Sequence, residues 1–348
     1  MVKVGVDIAA KKFDAAIRTK KGVLSFQTFS NDEAGFNAFV VWLQSQLKDA
    51  FLQCSVIMEA TGVYHENLAY FLDKLGFPVC IVLANVVKAY SKSLNIKSKN
   101  DKIDARTLAQ LGLERELRVW VPCSENALDL KQVTREHEDL AKARTVLKNQ
   151  LHALKSGHYV NQVLLSRLDA HLTFIEKQLS EVKKHLKTLI DTNPSLKAKF
   201  DHMVSISGVA LITAATILAE TDGFALFTSR NQLVSYAGYD VVTYQSGTSV
   251  YKAPHISKKG NSHIRRVLYM AAMSAIQHNS ECAALYERVY KNTGIKMKGL
   301  VAVQRKLLVL TYAVVKNKCD YNIEKHRKDA IPKLKDNTSA LVEQEADA

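Results

Sequence analysis

Eight apolar residues between positions 165 and 189 step by three and four in strict alternation: Leu165, Leu168, Leu172, Ile175, Leu179, Val182, Leu186 and Leu189. A helix keeps such a stripe on one line only when it is wound against another helix, because a heptad seam left in water exposes a continuous apolar ridge. A weaker match precedes it through Val133, Leu140, Leu147, Leu151 and Leu154, and "SGHYVN" at 156–161 offers a place for the chain to reverse. Glycine and proline are nearly absent from 126 to 193. The pattern predicts an antiparallel α-helical hairpin, a coiled-coil middle over 121–195, that packs on itself or on another protomer. It leaves a region before it and a region after it to form their own cores.

The region before it, 1–120, alternates strand and helix signals. "KVGVDIAA" and "FDAAIRTKKGVLSFQTF" give three short strands, the last two joined by a hairpin turn at Lys21-Gly22. A helix follows, with Asn31 or Asp32 as its cap and Glu33 in its first turn. Then come the strand "QCSVIMEA", a helix from about Tyr64 to Leu75, the strand "FPVCIVL" and a closing helix, "DKIDARTLAQLGL". This is the element order of the α/β ribonuclease H-like (RuvC-like) fold, a mixed sheet flanked by helices. The region after the hairpin, 196–322, reads as a mainly α C-terminal domain. The polar segment 323–348 has no periodicity and is expected to be a disordered tail.

The net charge of +14 implies a polyanionic partner, nucleic acid or an anionic membrane surface. No apolar run reaches about 18 residues, so no membrane span is expected. The start, "MVKVGVDIAA", enters a strand pattern without a signal-peptide core. The five cysteines (54, 80, 123, 282 and 319) form no CxxC pair, which argues against zinc and for a reducing cytoplasmic location.

Asp7 ends the first strand and Glu59 ends the fourth. In a ribonuclease H-like sheet these two strands are neighbours, so the two carboxylates would face each other across one rim. Asp101 and Asp104, one helical turn apart, share a face of the closing helix and would come against that rim. Each alone has an ordinary explanation: Asp101 as a helix cap, Asp104 as a partner of the helix dipole, Asp7 and Glu59 as exposed strand ends. Together, without cationic partners, the four would repel unless a cation neutralised them, and oxygen-only ligands suit Mg2+ or Mn2+. "HISKKGNSHIRR" brings His255, Lys258, Lys259, Arg265 and Arg266 around a helix start near Asn261, a phosphate-binding arrangement; Lys11 and Lys12 follow the first strand. "SISGVALITAATILAE" reads as a glycine turn between helices, either a phosphate-facing hairpin or a packed core pair.

"GVDIAAKKFDAAI", "MEATGVYHENLAYFL" and "NDKIDARTLAQLG", with "SISGVALITAATILAE", "LVSYAGY", "QSG" and "ISKKGNSHIRRVLYMAA", resemble in order the blocks of the DEDD insertion-sequence transposases related to the Piv and MooV recombinases. The resemblance covers residues 3 to about 276. It implies a RuvC-like domain, a coiled-coil middle and a transposase domain with a nucleophilic serine. It also implies that Asp7, Glu59, Asp101 and Asp104 are the acidic quartet. The family is thought to be guided by a structured (bridge) RNA that pairs with donor and target DNA. Ser246 sits where the family's nucleophile falls; Ser249 is a competitor, and an ordinary loop serine is the bland alternative.

The implied function is transposition through a serine-linked intermediate, by a homo-oligomer, dimer or tetramer, associated with the nucleoid when bound to DNA. A RuvC-like nuclease or Holliday-junction resolvase that activates water is the alternative. An actin-like kinase is disfavoured, since Ala9-Ala10-Lys11-Lys12 stands where a Gly-Thr or Gly-Ser phosphate turn belongs.

Overall fold

The computed structural model describes residues 2–98, 100–246 and 250–322, so the expected tail lies outside the described residues. The chain divides into two compact units, the first ending at Pro122 and the second beginning at Cys123.

The first unit opens with β1 (Lys3–Ile8), β2 (Lys12–Thr19) and β3 (Gly22–Ser30), followed by α1 (Glu33–Leu47) and a 3-10 turn, Lys48–Gln53. Next come β4 (Ser55–Glu59), α2 (Glu66–Lys74), β5 (Val79–Val82), α3 (Ala84–Ser93) and α4 (Asp101–Glu114). The five strands form one sheet in the order β3-β2-β1-β4-β5. Pairing is antiparallel from β1 through β3 and parallel from β1 through β4 to β5. That is the mixed ribonuclease H-like order expected, with β1 and β4 adjacent. The hairpin turn between β2 and β3 falls on Lys20-Lys21, one residue earlier than expected, because Thr19 pairs with Gly22.

Alternation along the strands sorts side chains onto two faces. Val4, Val6 and Ile8 of β1, with Phe13, Ala15 and Ile17 of β2, join a core with Phe36, Phe39 and Trp42 of α1 and Leu68 and Leu72 of α2. The odd positions of β1 turn to the other face, where α4 lies. A Cβ on Gly5 would come 2.0 Å from the Ala105 carbonyl oxygen and 2.4 Å from the Ala109 amide nitrogen. Glycine is therefore required by the direct approach of helix backbone to strand.

The helix α3 was not expected from the sequence. Val87 and Tyr90 are buried with Leu108 and Leu111 of α4, and the Tyr90 hydroxyl donates to Glu114 Oε2 at 2.6 Å. Its short stripe, Val87–Tyr90–Leu94, spans only two turns and so gives little periodicity to detect.

The second unit comprises α5 (Glu125–Ser156), α6 (Gln162–Asp191), α7 (Pro194–Val204), α8 (Leu211–Thr221) and α9 (Arg230–Tyr236). A two-stranded hairpin follows, β6 (Val241–Ser246) and β7 (Val250–Ile256), then α10 (Ser262–His278), α11 (Ser280–Thr293) and α12 (Lys296–Asn317). Helices α5 and α6 pair, with Ile175, Leu179, Val182 and Leu186 of the seam buried; Leu165, Leu168, Leu172 and Leu189 are half-buried. Ile190, outside the heptad stripe, is buried as well. A helix near 3.6 residues per turn drifts by about 20° per heptad, which carries the buried line from 189 to 190.

The glycine turn between α7 and α8 settles into the core. Ile206 and Val209 are buried, and a Cβ on Gly208 would lie 2.6 Å from the Ala271 carbonyl oxygen of α10. The packed-pair reading of "SISGVALITAATILAE" is the one the structure adopts. The hairpin β6–β7 replaces the loop expected there, because β-branched and aromatic residues (Val241, Val242, Tyr244; Val250, Tyr251) stand in two short runs.

The close approach at Gly5 yields a direct expectation. Gly5→Ala, which cannot be relieved by a rotamer change because it meets backbone, should cost about 3 kcal/mol of stability. Urea unfolding of the isogenic pair would measure it, and a loss below about 1 kcal/mol would show that α4 can lift off without penalty.

Candidate active site

Asp7 is the fifth of the six residues of β1, whose odd-numbered positions face α4, and its cross-strand partner is Asp14 of β2. Glu59, last in β4, lies one step beyond the Val6–Met58 pair and is itself paired with Val82 of β5. Parallel pairing of β1 with β4 therefore puts Asp7 and Glu59 at the same carboxyl rim, as expected. Asp101 and Asp104 open α4. The cap of that helix is Asn100, whose side chain accepts from the Ile103 amide at 2.8 Å. The sequence reading that gave Asp101 the capping role is thus corrected: an asparagine immediately before it does that work and leaves both aspartates in the first turn.

The electrostatics of Asp7 report on the gathering. Its carboxyl is pushed from the ordinary 3.8 up to about 6, first by burial and then by the negative charges of Asp104, Asp101, Glu59 and Asp14. All four sequence-selected acids therefore act on one rim. Among the described residues, however, no three of His, Cys, Asp and Glu are drawn close enough to enclose a metal ion. The donor chemistry, oxygen throughout and strongly anionic, fits a hard divalent cation.

Two features of the rim were missed from the sequence. Asp14 is only 4% exposed, accepts a hydrogen bond from the Thr28 hydroxyl, and adds a fifth carboxylate beside Asp7. Its position opposite Asp7 becomes visible only once the β1–β2 register is known. The second is a cation. Lys12 Nζ lies 2.8 Å from Asp101 Oδ2 and 3.3 Å from Asp14 Oδ2, so the expectation of a quartet without cationic partners is corrected. The cause is the antiparallel turn back from β1, which starts β2 at the same rim.

The other basic residues divide in the same way. Lys11 is exposed after β1, and Lys258 and Lys259 are exposed in the connection between β7 and α10. Arg265 Nη1 donates to the carbonyls of Ala237 at 2.8 Å and Asn261 at 3.2 Å, holding the turn before α10. Arg266 pairs with Glu138 of α5 at 2.5 Å, beside His263 Nδ1 at 2.7 Å from the same carboxylate. Burial alone would push Glu138 up, but hydrogen bonds from Lys142 and His263 and the charges of His263 and Arg266 outweigh it and hold the carboxyl at about 2. Asn261 caps α10 and also donates to the buried Glu220 at 2.7 Å. Ser246 ends β6, paired with Val250 across the hairpin; Ser249 lies outside the described residues.

Strand order and carboxylate placement define a mixed α/β domain with an acidic rim at the carboxyl ends of β1 and β4. A family model described as "Transposase", of the DEDD IS110 type, matches residues 4–159, and one described as "Transposase IS116/IS110/IS902 family" matches 201–287. The chain belongs to this DEDD insertion-sequence transposase family. Pilin gene-inverting protein of Moraxella lacunata is 28% identical over 314 residues, 90% of this chain and 95% of that protein. The transposase for insertion sequence element IS1328 of Yersinia enterocolitica is 22% identical over 64% of this chain and 71% of its own. Among solved structures, Thermus thermophilus RuvC aligns with 31% of this chain and 91% of its own at 13% identity, with a TM-score of 0.23, too slight a likeness to carry an argument.

The crowded carboxylates should leave a thermodynamic signature. Asp7 binds its proton more tightly folded than unfolded, so the stability this contributes is complete below about pH 3.8 and is lost as pH rises through about 6. In chelator-treated protein, Asp7→Asn should therefore raise stability near neutral pH by about 1–2 kcal/mol, after allowance for solvent screening, and change it little at about pH 4. Thermal melts of both proteins at the two pH values would check this; a destabilised variant at neutral pH would show that the like charges do not meet.

Proposed function

We propose that the protein cuts and rejoins DNA through a phosphoserine link, with Ser246 as nucleophile and Asp7, Glu59, Asp101 and Asp104 holding Mg2+ or Mn2+. The observation that carries the acidic half is the upward displacement of the Asp7 carboxyl by burial and by the other three members of the quartet. A divalent cation held by such carboxylates supplies Lewis-acid polarisation of a phosphodiester and offsets its charge. The Ser246 oxygen attacks phosphorus, the bond to one DNA oxygen breaks, and the serine proton passes by way of solvent to that leaving oxygen, which becomes a free DNA hydroxyl. The new serine–phosphate ester keeps the bond energy, so a second DNA hydroxyl can displace the serine and complete the exchange. A water-using nuclease would spend that energy on hydrolysis. The family membership, together with a pilin gene-inverting relative matched over nearly its whole length, favours exchange over simple cutting.

The domain roles belong to the same reading: 1–120 for the acids, 121–195 as a coiled-coil arm, 196–322 for the serine. Lys11, Lys258 and Lys259, exposed on the surface, are assigned to donor DNA, target DNA and a structured guide RNA. The arm carries exposed apolar side chains at and near its turn, Tyr159 (78%), Val163 (60%), Leu164 (44%) and Phe174 (57%). Exposed apolar residues at the turn, Tyr159, Val163 and Leu164, with Phe174 further along α6, favour contact with a second copy, hence a dimer or tetramer. The described helices include none long and apolar enough to cross a membrane.

The decisive experiment is a covalent protein–DNA adduct that survives denaturation, formed on junction DNA of the element with its RNA and Mg2+. Wild type and Ser249→Ala should form it, and Ser246→Ala should not; efficient cutting by wild type without an adduct would point to activated water. Asp104→Asn should keep the fold, with an unchanged melting profile within a few degrees, and reduce cutting by about a hundredfold or more.

A further inference from the structure

Between α3, the segment leading to α4 and the acidic rim lies a groove of about 610 Å³. Its lining includes Glu59 and Asp104, two of the four quartet carboxylates, together with Lys88, Lys92 and Lys97, and Ile96 gives it an apolar patch. The volume is that of an ordinary small-ligand pocket, enough for about one nucleotide with its flanking phosphates. The lysines are placed by the fold. Val87 and Tyr90 anchor one face of α3 to α4, and this leaves Lys88 and Lys92, one turn apart, on a shared exposed face.

These cations differ from three of the basic residues singled out in the sequence, which the fold itself engages. Lys12, Arg265 and Arg266 are engaged by Asp101 and Asp14, by backbone carbonyls, and by Glu138 respectively. Among the described residues Lys88, Lys92 and Lys97 enter no ion pair. The groove lining thus carries both signs of charge, two carboxylates of the quartet and three lysines. A phosphodiester chain is the ligand that suits such a lining: its phosphates are attracted by the lysines, and a divalent cation would be needed to bring one of them beside the carboxylates.

We infer that this groove seats the DNA strand to be cut, holding one unpaired nucleotide next to the scissile phosphate, with Lys88, Lys92 and Lys97 as positioning residues. The inference rests on the proposed metal-dependent cutting at the quartet. It selects a strand rather than a duplex, because a pocket of this volume cannot admit the roughly 20 Å width of paired DNA.

The test uses the full-length protein with its RNA and a labelled DNA junction carrying a short unpaired gap. Lys88→Ala/Lys92→Ala/Lys97→Ala is compared with Lys20→Ala/Lys21→Ala, a change to exposed lysines on the β2–β3 turn. The groove variant should lower the slope of log affinity against log salt by about 2, at roughly 0.7 per single-strand phosphate contact. It should raise KM for DNA about tenfold or more and leave kcat at saturating DNA within about twofold. The turn variant should match wild type. A groove variant with wild-type slope and KM would overturn the inference, and so would a loss confined to guide RNA affinity. If wild type binds DNA but never cuts it, the proposed reaction fails, while the salt slope still decides whether the groove holds the strand.

Discussion

The contact between the backbone of α4 and Gly5 in the middle of β1 determines where the chemistry can be. Helices pack on a sheet ordinarily through their side chains. Here a strand residue without a Cβ lets the helix backbone lie directly on the strand. Asp7 is two residues further along the same face, and α4 begins one turn before Ala105. The approach at Gly5 therefore delivers Asp101 and Asp104 to the strand end that holds Asp7. Gly112, further along α4, repeats the device against Ile57 of β4, where an added Cβ would meet the side chain at 2.6 Å. The backbone contact at Gly5 is the rigid one, and Gly112 adds a close contact with the movable end of the Ile57 side chain.

That geometry sets stability against function. Bringing Asp104, Asp101, Glu59 and Asp14 near a half-buried Asp7 stabilises nothing in the absence of a counter-ion, as the displaced Asp7 carboxyl shows. Lys12 offsets part of the charge by bridging Asp14 and Asp101, but it is exposed and reaches only one side of the rim. The second unit treats its buried acids differently. Glu138 is hydrogen-bonded by Lys142, His263 and Arg266, and Glu220 by Arg135 and Asn261, so each is matched by donors. Paired buried acids of this sort tie helices together. Crowded acids that raise one another's proton affinity are the kind of cluster a divalent cation would relieve.

Much of this was legible in the sequence because the informative signals are local. Period-2 alternation placed Asp7 and Glu59 at strand ends, and the i, i+3 spacing placed Asp101 and Asp104 on one helix face. What escaped detection depends on partners distant in sequence. Asp14 looks like an ordinary strand residue until the antiparallel register sets it against Asp7. Lys12 looks like a free cation until the same turn brings it to Asp101. Arg265 and Arg266 form an attractive basic pair, yet both are drawn inward, one by carbonyls of the preceding turn and the other by a carboxylate more than a hundred residues away. In a chain with a net charge of +14, lysine and arginine content alone cannot distinguish the cations that hold the fold from those that face a ligand. The three lysines at the groove were overlooked because α3, which carries two of them, is too short to announce itself.

The separation of acids and serine along the chain bears on control of the reaction. Asp7, Glu59, Asp101 and Asp104 all lie before Pro122, and Ser246 lies after it, so under the proposed function each compact unit would have only part of the chemistry. A serine hydroxyl at its ordinary pKa is a weak nucleophile, and carboxylates without a substrate phosphate have nothing to polarise. On the proposed reading, cleavage then requires both units to meet on one phosphodiester. The binding energy of DNA and RNA would be used to assemble that meeting, which restrains a chain with strong general attraction for polyanions from cutting wherever it lands.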